Sequence, residues 1–600
     1  MTRTRYVAAL ALAGVCLGAC NNGGGQSPAP SPVPTPGSQN PCPATSVRTG
    51  YSAPASGPGA AGAKRTAVDG SNRWRVLDSL WTHREASARQ APLTSGTTTT
   101  ATADDVGEIA VLQDAGDLIL LPNRFDLRDT GLRFTRSGSA GYDVQRVDGA
   151  FRMTLGNRLT LEDDDSVPAD VPFSFPFYGV AQTRAFINSD GNITFEAADQ
   201  ASTERNITRL LTGPPRVAPF LADLDPSTGG GVFVHAAADQ YTVTWCNVRG
   251  FDSQRTTTVQ ATLLPDGAIE FKLGQINLQD AIVGISPGRT ADFRPVDLSA
   301  SGPTAGGGGG VGERFSEAGQ LDTVAVTRKF YEAHPDNYDQ LVIWTDTPLT
   351  REAFAYEVTV ANEIRGIGLD VFDISRDFGS GGRLRSLAVM DWLGKYPADP
   401  AQKFLGENST LSVLGQEVGH RWLAFLRFRN HRGETSDALL GRDLSHWSFF
   451  FDSDASVMEG NDIEDLGGGS FRTVGAVSRF SLLDQYAMGI VREQDVPPFF
   501  YVEKPVNPQP VKDRNASPQV GVTFAGTRRE VLIQDIVAVH GARVPSADES
   551  PRVHRQAFIY VASRPADAAD IEKVDRIRRQ WESFFLGATD GRMRAETRLR

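Results

Sequence analysis

The spacing of hydrophobic positions separates the chain into two regions. From about residue 106 to residue 300, apolar and polar residues alternate in short runs such as EIAVLQD, DLILLP and LRFTR. A period of two is typical of half-buried strands, and the triplets Ser189-Asp190-Gly191 and Pro265-Asp266-Gly267 predict tight turns between them. We therefore expect residues 106–300 to form a β-rich region that is all-β in class.

The second region, residues 318–600, mixes strand-like and helix-like periods. YDQLVIWTDTP and RLRSLAVMDWLGKYP predict strands, and FAYEVTVANEIRGIG between them predicts a short helix or a mixed segment. A buried helix is predicted from Asn408 or Ser409 through Phe428, and a closing helix within residues 566–590. Strands and helices in this order indicate an α+β domain.

Two segments have the composition of linkers. Residues 21–105 are rich in Pro, Gly, Ser and Thr, a composition that buries too little apolar surface to offset chain entropy. We predict a disordered stalk there, interrupted by a short helix within residues 72–90. The segment 301–317 begins with SGPTAGGGGGVG and is predicted to be a Gly-rich linker between the two folded regions.

The first 20 residues have the layout of a secretory signal peptide, with Arg3 and Arg5 before an apolar run from Val7 to Leu17. The end of this run, LGAC, resembles the lipobox of bacterial lipoproteins. That resemblance implies that Cys20 is lipidated and tethers the chain to the cell envelope, at the outer membrane or the cell surface. No later run reaches the roughly 18 apolar residues of a membrane-spanning helix.

Net charge bears on the partners of the chain, and cysteine content bears on its disulfides. The chain has 60 basic and 72 acidic residues, a formal net charge of −12, which argues against nucleic acid as a partner. Of its 4 cysteines, Cys16 and Cys20 belong to the signal region. An export compartment permits a bridge between Cys42 and Cys246. A buried free Cys246 is the simpler interpretation, and the sequence leaves the pairing open.

Motifs in the β-rich region occur in an order that resembles the nidogen-like extracellular domain over about residues 170–290. They include PFSFPFYG, AFINSDGNITF, RVAPFLADLDP, YTVTWCNV and VQATLLPDGAIEFKLG. The resemblance implies a sandwich-like module that acts in cell–matrix or surface adhesion. Cys246 departs from it, because the family usually has an acidic residue there. Asp223 and Asp225 are either oxygen ligands for Ca²⁺ or a solvated pair in a turn.

The predicted buried helix contains Gln416-Glu417-Val418-Gly419-His420, which resembles the HExxH helix of zincin metallopeptidases with Gln416 in place of the first His. In the intact motif both His bind Zn²⁺ and the Glu activates water. The resemblance therefore implies Glu417 as general base and Gln416 and His420 as metal ligands. A neutral amide is a weaker donor than imidazole, so we expect lowered zinc affinity. A buried helix stripe without metal is the alternative.

Further segments between about Asp336 and Glu503, among them HWSFF and SVMEGN, resemble secreted bacterial zincin-like proteins. This resemblance implies a metallopeptidase-type fold, with His446 as the first candidate for a further zinc ligand and Glu459 as the second. A structural His packed against Trp447 is the alternative for His446.

Other residues near these segments have roles that the same resemblance suggests. It places LAVMDWLG at the edge strand that holds substrate and Met488 beneath the site. Tyr486 is either a donor to a developing oxyanion or part of the core. The acidic cluster that begins at Asp452 and Asp454 is either a Ca²⁺ site or a solvated loop.

Two functions follow from these expectations. The first is a surface-anchored zinc metalloendopeptidase that hydrolyses extracellular protein. The second is a catalytically inactive zincin-like scaffold that acts in cell–matrix or surface adhesion through the nidogen-like domain. In both, the partners are an extracellular or matrix protein and, through Cys20, the membrane.

Overall fold

The computed structural model of the chain describes residues 40–43, 76–89, 103–138, 140–201, 205–349 and 354–600. Cys20, the predicted site of lipidation, lies outside the described residues.

The elements up to residue 321 are numbered in chain order as follows: α1 (Leu77–Arg89), β1 (Ala103–Val106), β2 (Ile109–Gln113), β3 (Ile119–Leu120), β4 (Gly131–Ser137), β5 (Gly141–Val147), β6 (Asn157–Leu159), β7 (Ser166–Phe177), β8 (Val180–Asn188), β9 (Asn192–Thr194), α2 (Ile207–Thr212), β10 (Arg216–Leu221), β11 (Leu224–Asp225), β12 (Gly231–Ala237), β13 (Gln240–Gly250), β14 (Thr256–Leu263), β15 (Ile269–Ile276), β16 (Ala281–Ser286), β17 (Phe293–Pro295), β18 (Thr304–Gly307), β19 (Gly310–Phe315) and β20 (Gln320–Leu321).

The elements after residue 321 continue the numbering: α3 (Thr323–Ala333), β21 (Gln340–Thr345), β22 (Tyr356–Thr359), β23 (Ala361–Asn362), β24 (Phe372–Asp373), β25 (Ser386–Trp392), β26 (Lys403–Leu405), β27 (Asn408–Ser409), α4 (Thr410–Gly419), β28 (Phe428–Arg429), β29 (Thr435–Ser436), β30 (Asn461–Gly467), β31 (Ser470–Ala476), α5 (Leu482–Met488), β32 (Phe499–Gln509), β33 (Thr523–Val531), α6 (Ile533–His540), β34 (Val553–Ala562), α7 (Ala568–Ala588) and β35 (Arg594–Glu596). Short 3₁₀ turns lie at Ser375–Phe378, Leu393–Lys395, Arg442–Leu444 and Glu493–Asp495.

Two sheets packed on one hydrophobic core form the region that we call the β module, residues 125–315. One sheet has the order β17-β19-β16-β10-β9-β8-β7, and the other has the order β18-β5-β4-β15-β14-β13-β12-β6, with β11 beside β13. Side chains from both sheets, such as Ile187 and Trp245, belong to the same buried cluster. The indole N–H of Trp245 also donates to the backbone oxygen of Asn188 at 3.0 Å, which ties the two sheets together. The predicted all-β class of this region is confirmed.

The segment predicted to be a Gly-rich linker, residues 301–317, is instead part of the β module. It forms β18 and β19, and β19 pairs with β16 and β17. A Cβ at Gly312 would lie 2.5 Å from the backbone oxygen of Val283, and one at Gly310 would lie 2.3 Å from Cδ2 of Leu211. The glycines therefore allow close packing of neighbouring backbone and side chains. Composition alone does not distinguish such a closely packed strand from a flexible linker.

A buried network of charged side chains crosses the interior of the β module. The carboxylate of Asp199 accepts from Arg209 at 3.0 Å and lies 2.6 Å from Nη1 of Arg216. Asp190 pairs with Arg209 at 2.8 Å and with Arg205 at 2.9 Å. Burial by itself raises the pKa of Asp199, but the charges of Arg209 and Arg216 overcome it and hold this pKa below its usual range. The module therefore depends on mutual neutralisation of these charges.

A mixed sheet with helices on both faces forms the second region, which we call the α/β domain. Its order is β1-β2-β34-β21-β25-β22, with β35 beside β34. Strands β2, β34, β21 and β25 are parallel, and β22 is an antiparallel edge strand. Alternate residues of β21 face opposite layers: Leu341 packs in the core that contains α3, and Val342 packs in the core that contains α4 and α7. This layering differs from the α+β class that the sequence predicted.

The edge strand and the mixed segment differ from prediction. The edge of the sheet is β22, whereas LAVMDWLG forms β25, one position inside it. FAYEVTVANEIRGIG, for which a short helix or a mixed segment was predicted, contributes β22 and β23. Antiparallel pairing of Glu357 with Ala388 and of Val358 with Leu387 accounts for this.

The α/β domain begins before the β module in the chain. Strand β2 pairs in parallel with β34, so residues 109–113 lie in the sheet of the α/β domain. Strands β3 and β20 then pair antiparallel where the chain leaves for the β module and returns from it. The predicted boundaries at 106–300 and 318–600 are therefore corrected: the β module is an insertion between β3 and β20.

Helix α1 lies between the two folded regions. Its Trp81 is fully buried and stacks on Phe293 of the β module, with ring centroids 5.1 Å apart. Its His83 lies 2.8 Å from Asp322, the residue that caps α3. Arg314 of β19 pairs with Glu85 of α1 at 2.9 Å. The helix therefore fastens the module to the α/β domain by both apolar and ionic contacts.

Cys42 and Cys246 form a disulfide, with their Cα atoms 5.4 Å apart. The simpler interpretation, a free buried Cys246, is therefore wrong. The bridge fastens residues 40–43 to β13, the strand that carries Trp245. No helix in the described ranges is long and apolar enough to cross a membrane.

Loss of the disulfide is expected to destabilise the β module by about 2–5 kcal/mol, because the bridge closes a long loop and limits the unfolded chain. Unfolding of the full chain should be compared with that of the Cys42→Ser/Cys246→Ser variant, with and without reductant. Reductant should lower the stability of the wild type and leave the variant unchanged. Stoichiometric alkylation of the unreduced wild type at Cys246 would contradict the bridge.

Asp199→Asn is expected to destabilise the β module by about 3–5 kcal/mol, because it leaves buried arginines without their counter-charge. The carboxylate has a lowered pKa in the folded chain, so its contribution is complete above the unfolded pKa of about 3.9 and declines as the pH falls below it. Hydrogen exchange of β9 and β10 measures the loss, with the exposed turn variant Asp239→Asn as control. Equal protection in both variants at neutral pH would contradict this account.

Candidate functional site

Helix α4 carries the first residues of the candidate site and is shorter than predicted. Ser409 is its N-cap: its hydroxyl accepts from the Ser412 backbone N–H at 3.2 Å, and the Ser412 hydroxyl accepts from the Ser409 N–H at 2.9 Å. The helix ends at Gly419, and a left-handed φ of 67° at Ala424 excludes the predicted continuation to Phe428. Residues 420–426 are all buried, so this segment fills the core as an irregular turn.

Gln416, His420 and His446 lie together at the C-terminal end of α4, and we call them the donor cluster. Gln416 and His420 are one helical turn apart and share a face of the chain. His446 follows the 3₁₀ turn Arg442–Leu444, and its Nε2 lies 3.1 Å from Nε2 of Gln416. The His420 and His446 rings are 4.9 Å apart and nearly perpendicular. All three residues are buried, so the structure brings together three of the residues named from the sequence.

The tautomer of His446 follows from its hydrogen bonds. Nδ1 lies 2.9 Å from the backbone oxygen of Arg442. A carbonyl oxygen only accepts, so Nδ1 carries the proton and Nε2 presents its lone pair to Gln416. Metal-binding imidazoles commonly have this support, because the backbone bond fixes both the ring and the tautomer.

Glu459 is joined to the donor cluster through Arg442. Nη2 of Arg442 donates to one oxygen of Glu459 at 2.6 Å, and Nε donates to the other at 3.2 Å. Burial by itself lowers the pKa of Arg442, but the charge of Glu459 overcomes it, so the net shift is upward. Both oxygens of the second candidate ligand therefore bind an arginine.

Sequence reasoning missed Arg442. Its Nη2 also lies 3.3 Å from Nε2 of His446. The sole sequence signal is its place four residues before His446, which is visible only once His446 is accepted as part of the site.

Glu417 is buried beside the donor cluster, with 3% of its surface exposed. Burial raises the pKa of Tyr396 well above its usual range, and the charge of Glu417 adds to this shift. The same carboxylate contributes to the raised pKa of Arg442. Glu417 therefore lies within electrostatic reach of both residues, in buried surroundings.

The spacing of Gln416 and His446 is compatible with two ligands of one zinc ion. Ligand atoms about 2.0–2.1 Å from a tetrahedral Zn²⁺ lie roughly 3.3 Å from one another. The 3.1 Å between Gln416 and His446 is close to that value. A half-turn of the Gln416 amide, whose nitrogen and oxygen are nearly equivalent in shape, presents Oε1 as the ligand. Glu459 does not fit while it is paired with Arg442. Within the described ranges, no three His, Cys, Asp or Glu side chains are grouped to hold a metal.

Tyr486 and Met488 of α5 have other surroundings than the sequence suggested. The Tyr486 hydroxyl accepts from the backbone N–H of Arg543 at 3.2 Å, and burial raises its pKa. The methionine next to α4 is Met458: a Cβ at Gly419 would lie 2.6 Å from its Sδ. The close approach of Met458 therefore explains the glycine in the motif.

The carboxylates considered for Ca²⁺ have protein partners. Asp223 pairs with Arg205 at 2.9 Å, and Asp225 accepts from the Ser227 backbone N–H at 2.8 Å, as in a turn. Burial raises the pKa of Asp452 to about 6, and its side chain accepts from a backbone N–H in β30. Ca²⁺ binding stays a prediction. Neighbouring acidic residues also form ion pairs: Asp454 with Arg479, Glu464 with Arg472, and Asp465 with Arg528.

Comparisons with known proteins identify the β module. Residues 141–307 match the family described as NIDO related. The match runs from β5 to β18, so the nidogen-like resemblance is confirmed for this part of the chain and extends into the Gly-rich segment. No curated protein and no solved structure matches the chain. The zincin-like domain and the lipid anchor stay predictions.

Gly419→Ala is expected to destabilise the α/β domain by about 1–3 kcal/mol, because the added methyl group overlaps Met458 and the core is closely packed. Gly587→Ala in α7 is the matched control, since a Cβ there meets nothing within 4 Å. Alanine favours a helix over glycine, so the control should be stabilised by up to about 1 kcal/mol. Denaturant unfolding measures both. If both variants changed the free energy of unfolding in the same direction, the close packing of Met458 beneath α4 would be contradicted.

Proposed function

We propose that this chain is an exported, surface-anchored protein of the zinc metalloendopeptidase type that hydrolyses extracellular protein. The observation that supports the proposal is the convergence of Gln416, His420 and His446 beside Glu417. Two imidazoles and an amide oxygen would supply three ligands to a zinc ion.

Each residue has a role in this proposal. His420 and His446 would hold zinc through imidazole nitrogens, and Gln416 through Oε1. Zinc supplies a Lewis acid that polarises the scissile carbonyl and activates water. Glu417 takes one proton from the attacking water and gives it to the amine that leaves, so that the peptide bond is broken by the addition of one water. The buried surroundings of Glu417 strengthen its electrostatic effect on the reacting groups.

The rest of the chain supports an extracellular place for this activity. The Cys42–Cys246 bridge is typical of an oxidising compartment. Lipidation of Cys20 would anchor the chain at the outer membrane or the cell surface. In this proposal the NIDO-related module binds an extracellular or matrix protein.

A second candidate function is an inactive adhesion scaffold. Arg442 favours it, because a guanidinium 3.3 Å from Nε2 of His446 supplies a positive charge where a metal would otherwise do so. In this alternative the α/β domain carries no zinc, and the module alone performs the binding.

The experiment that separates the two is the zinc content of the purified full chain, with the variants His420→Ala, His446→Ala and Gln416→His. The full chain is needed because β2 belongs to the sheet beneath α4. His431→Ala, in an exposed loop, is the matched control. Glu417→Gln should keep zinc and lose at least about a hundredfold of the hydrolysis of an unfolded protein substrate, as expected for a general base.

Three outcomes decide the proposal. About one zinc per chain, lost in both His→Ala variants and kept in His431→Ala, supports the metallopeptidase. A zinc-free wild type whose Gln416→His variant gains zinc rejects the enzyme and favours the scaffold. Absence of zinc from every variant means that α4 is not a zincin helix.

A further inference from the structure

Two hydrogen-bond donors approach Nε2 of His446, which has a single lone pair. The amide of Gln416 approaches it to 3.1 Å and the guanidinium of Arg442 to 3.3 Å. Arginine does not release its proton in proteins, so Arg442 is a donor wherever it lies. A metal ion at Nε2 needs the same lone pair, and it is also repelled by the guanidinium charge.

We propose that Arg442 competes with the metal: the guanidinium and zinc are alternative occupants of Nε2 of His446. This inference rests on the proposed function and adds a residue that controls how readily the site is loaded. Arg442 is a positioning residue in this scheme, because it acts on the ligand and not on the substrate. The two-bond pair with Glu459 holds the guanidinium in place when no metal is bound.

The turn that carries Arg442 is suited to such an exchange. Asp443 and Leu444 follow it with left-handed φ angles of 58° and 51°, which non-glycine residues seldom adopt. The side chain of Arg442 is 44% exposed, whereas that of Glu459 is 10% exposed. The guanidinium therefore has a path to solvent, and the left-handed angles of Asp443 and Leu444 add backbone strain to the turn that carries it.

The competition also gives Glu459 a different role from the one predicted. The carboxylate, the second candidate ligand from the sequence, holds the competitor rather than the metal. Glu459 has a left-handed φ of 61°, and both of its carboxylate oxygens accept from Arg442. Gly460 after it leaves room for Ser453, whose Oγ would lie 1.8 Å from an added Cβ.

Zinc affinity of the full chain, measured against a calibrated chelator, tests the proposal. Arg442→Met removes both the charge and the donors and is expected to bind zinc at least about tenfold more tightly than the wild type. Arg442→Lys keeps the charge without the forked pair with Glu459 and should lie between the two. Arg432→Met is the control, because Arg432 is exposed and pairs weakly with Glu503 at 3.8 Å.

A second readout separates displacement from simple repulsion. Zinc should increase hydrogen exchange in the wild-type turn 441–445, since the turn releases Arg442 when metal binds. If zinc leaves hydrogen exchange in the turn unchanged, or if Arg442→Lys binds zinc with wild-type affinity, the effect of Arg442 is one of charge alone and the proposal is overturned. The proposal is also overturned if the wild type binds zinc and Arg442→Met binds it with the same affinity. In that last case the metallopeptidase proposal survives. If even Gln416→His binds no zinc, both proposals fail together.

Discussion

Parallel pairing of β2 with β34 joins parts of the chain that are far apart: Gln113 donates to the backbone oxygen of Ala562, 449 positions away. This pairing places β2, a strand from before the β module, between the edge strand β1 and β34 in the α/β sheet. The antiparallel pair β3 and β20 then sets the position at which the module leaves and returns. Closing so long a loop has an entropic cost that grows slowly with length, so an inserted module of this size is tolerated.

The same sheet positions the candidate site. Strand β25 lies between β21 and the edge strand β22, and α4 packs on the face to which Ala388 and Met390 point. The core beneath α4 is closed by Met458 against Gly419. His446 and Arg442 then approach the end of the helix from the turn that follows. The donor cluster is thus built from one helix end and one turn.

Local periodicity predicted the elements that depend on local interactions. The strands β13 and β14, the cap at Ser409 and the apolar stripe of α7 from Ile571 to Trp581 are all present, since each is set by residues close in sequence. Contacts between distant residues were not predictable in this way. The sequence of β19 predicts a linker because the close neighbours of its glycines lie on β16, in another part of the chain. The sequence predicts a longer α4 because no local signal indicates the left-handed φ of Ala424.

The candidate site likewise contains some residues that the local sequence predicts and others that it does not. The five-residue motif on α4 names Gln416, Glu417 and His420, because helical spacing fixes which of them share a face. His446 and Glu459 were named from resemblance, and the structure places the first beside the motif and the second behind an arginine. Arg442 has no local signal, since its role depends on a turn that brings three separate segments together. The missed residue brings a positive charge to within 3.3 Å of Nε2 of His446.

X-ray absorption at the zinc edge of the zinc-loaded full chain tests whether Gln416, His420 and His446 hold the metal. We expect a four-coordinate nitrogen and oxygen shell at about 2.0–2.1 Å, with the outer-shell scattering of two imidazoles and with no sulfur. The Gln416→His variant should then show one imidazole more. A six-coordinate oxygen shell without imidazole scattering would contradict the account, because the metal would then lie outside the donor cluster.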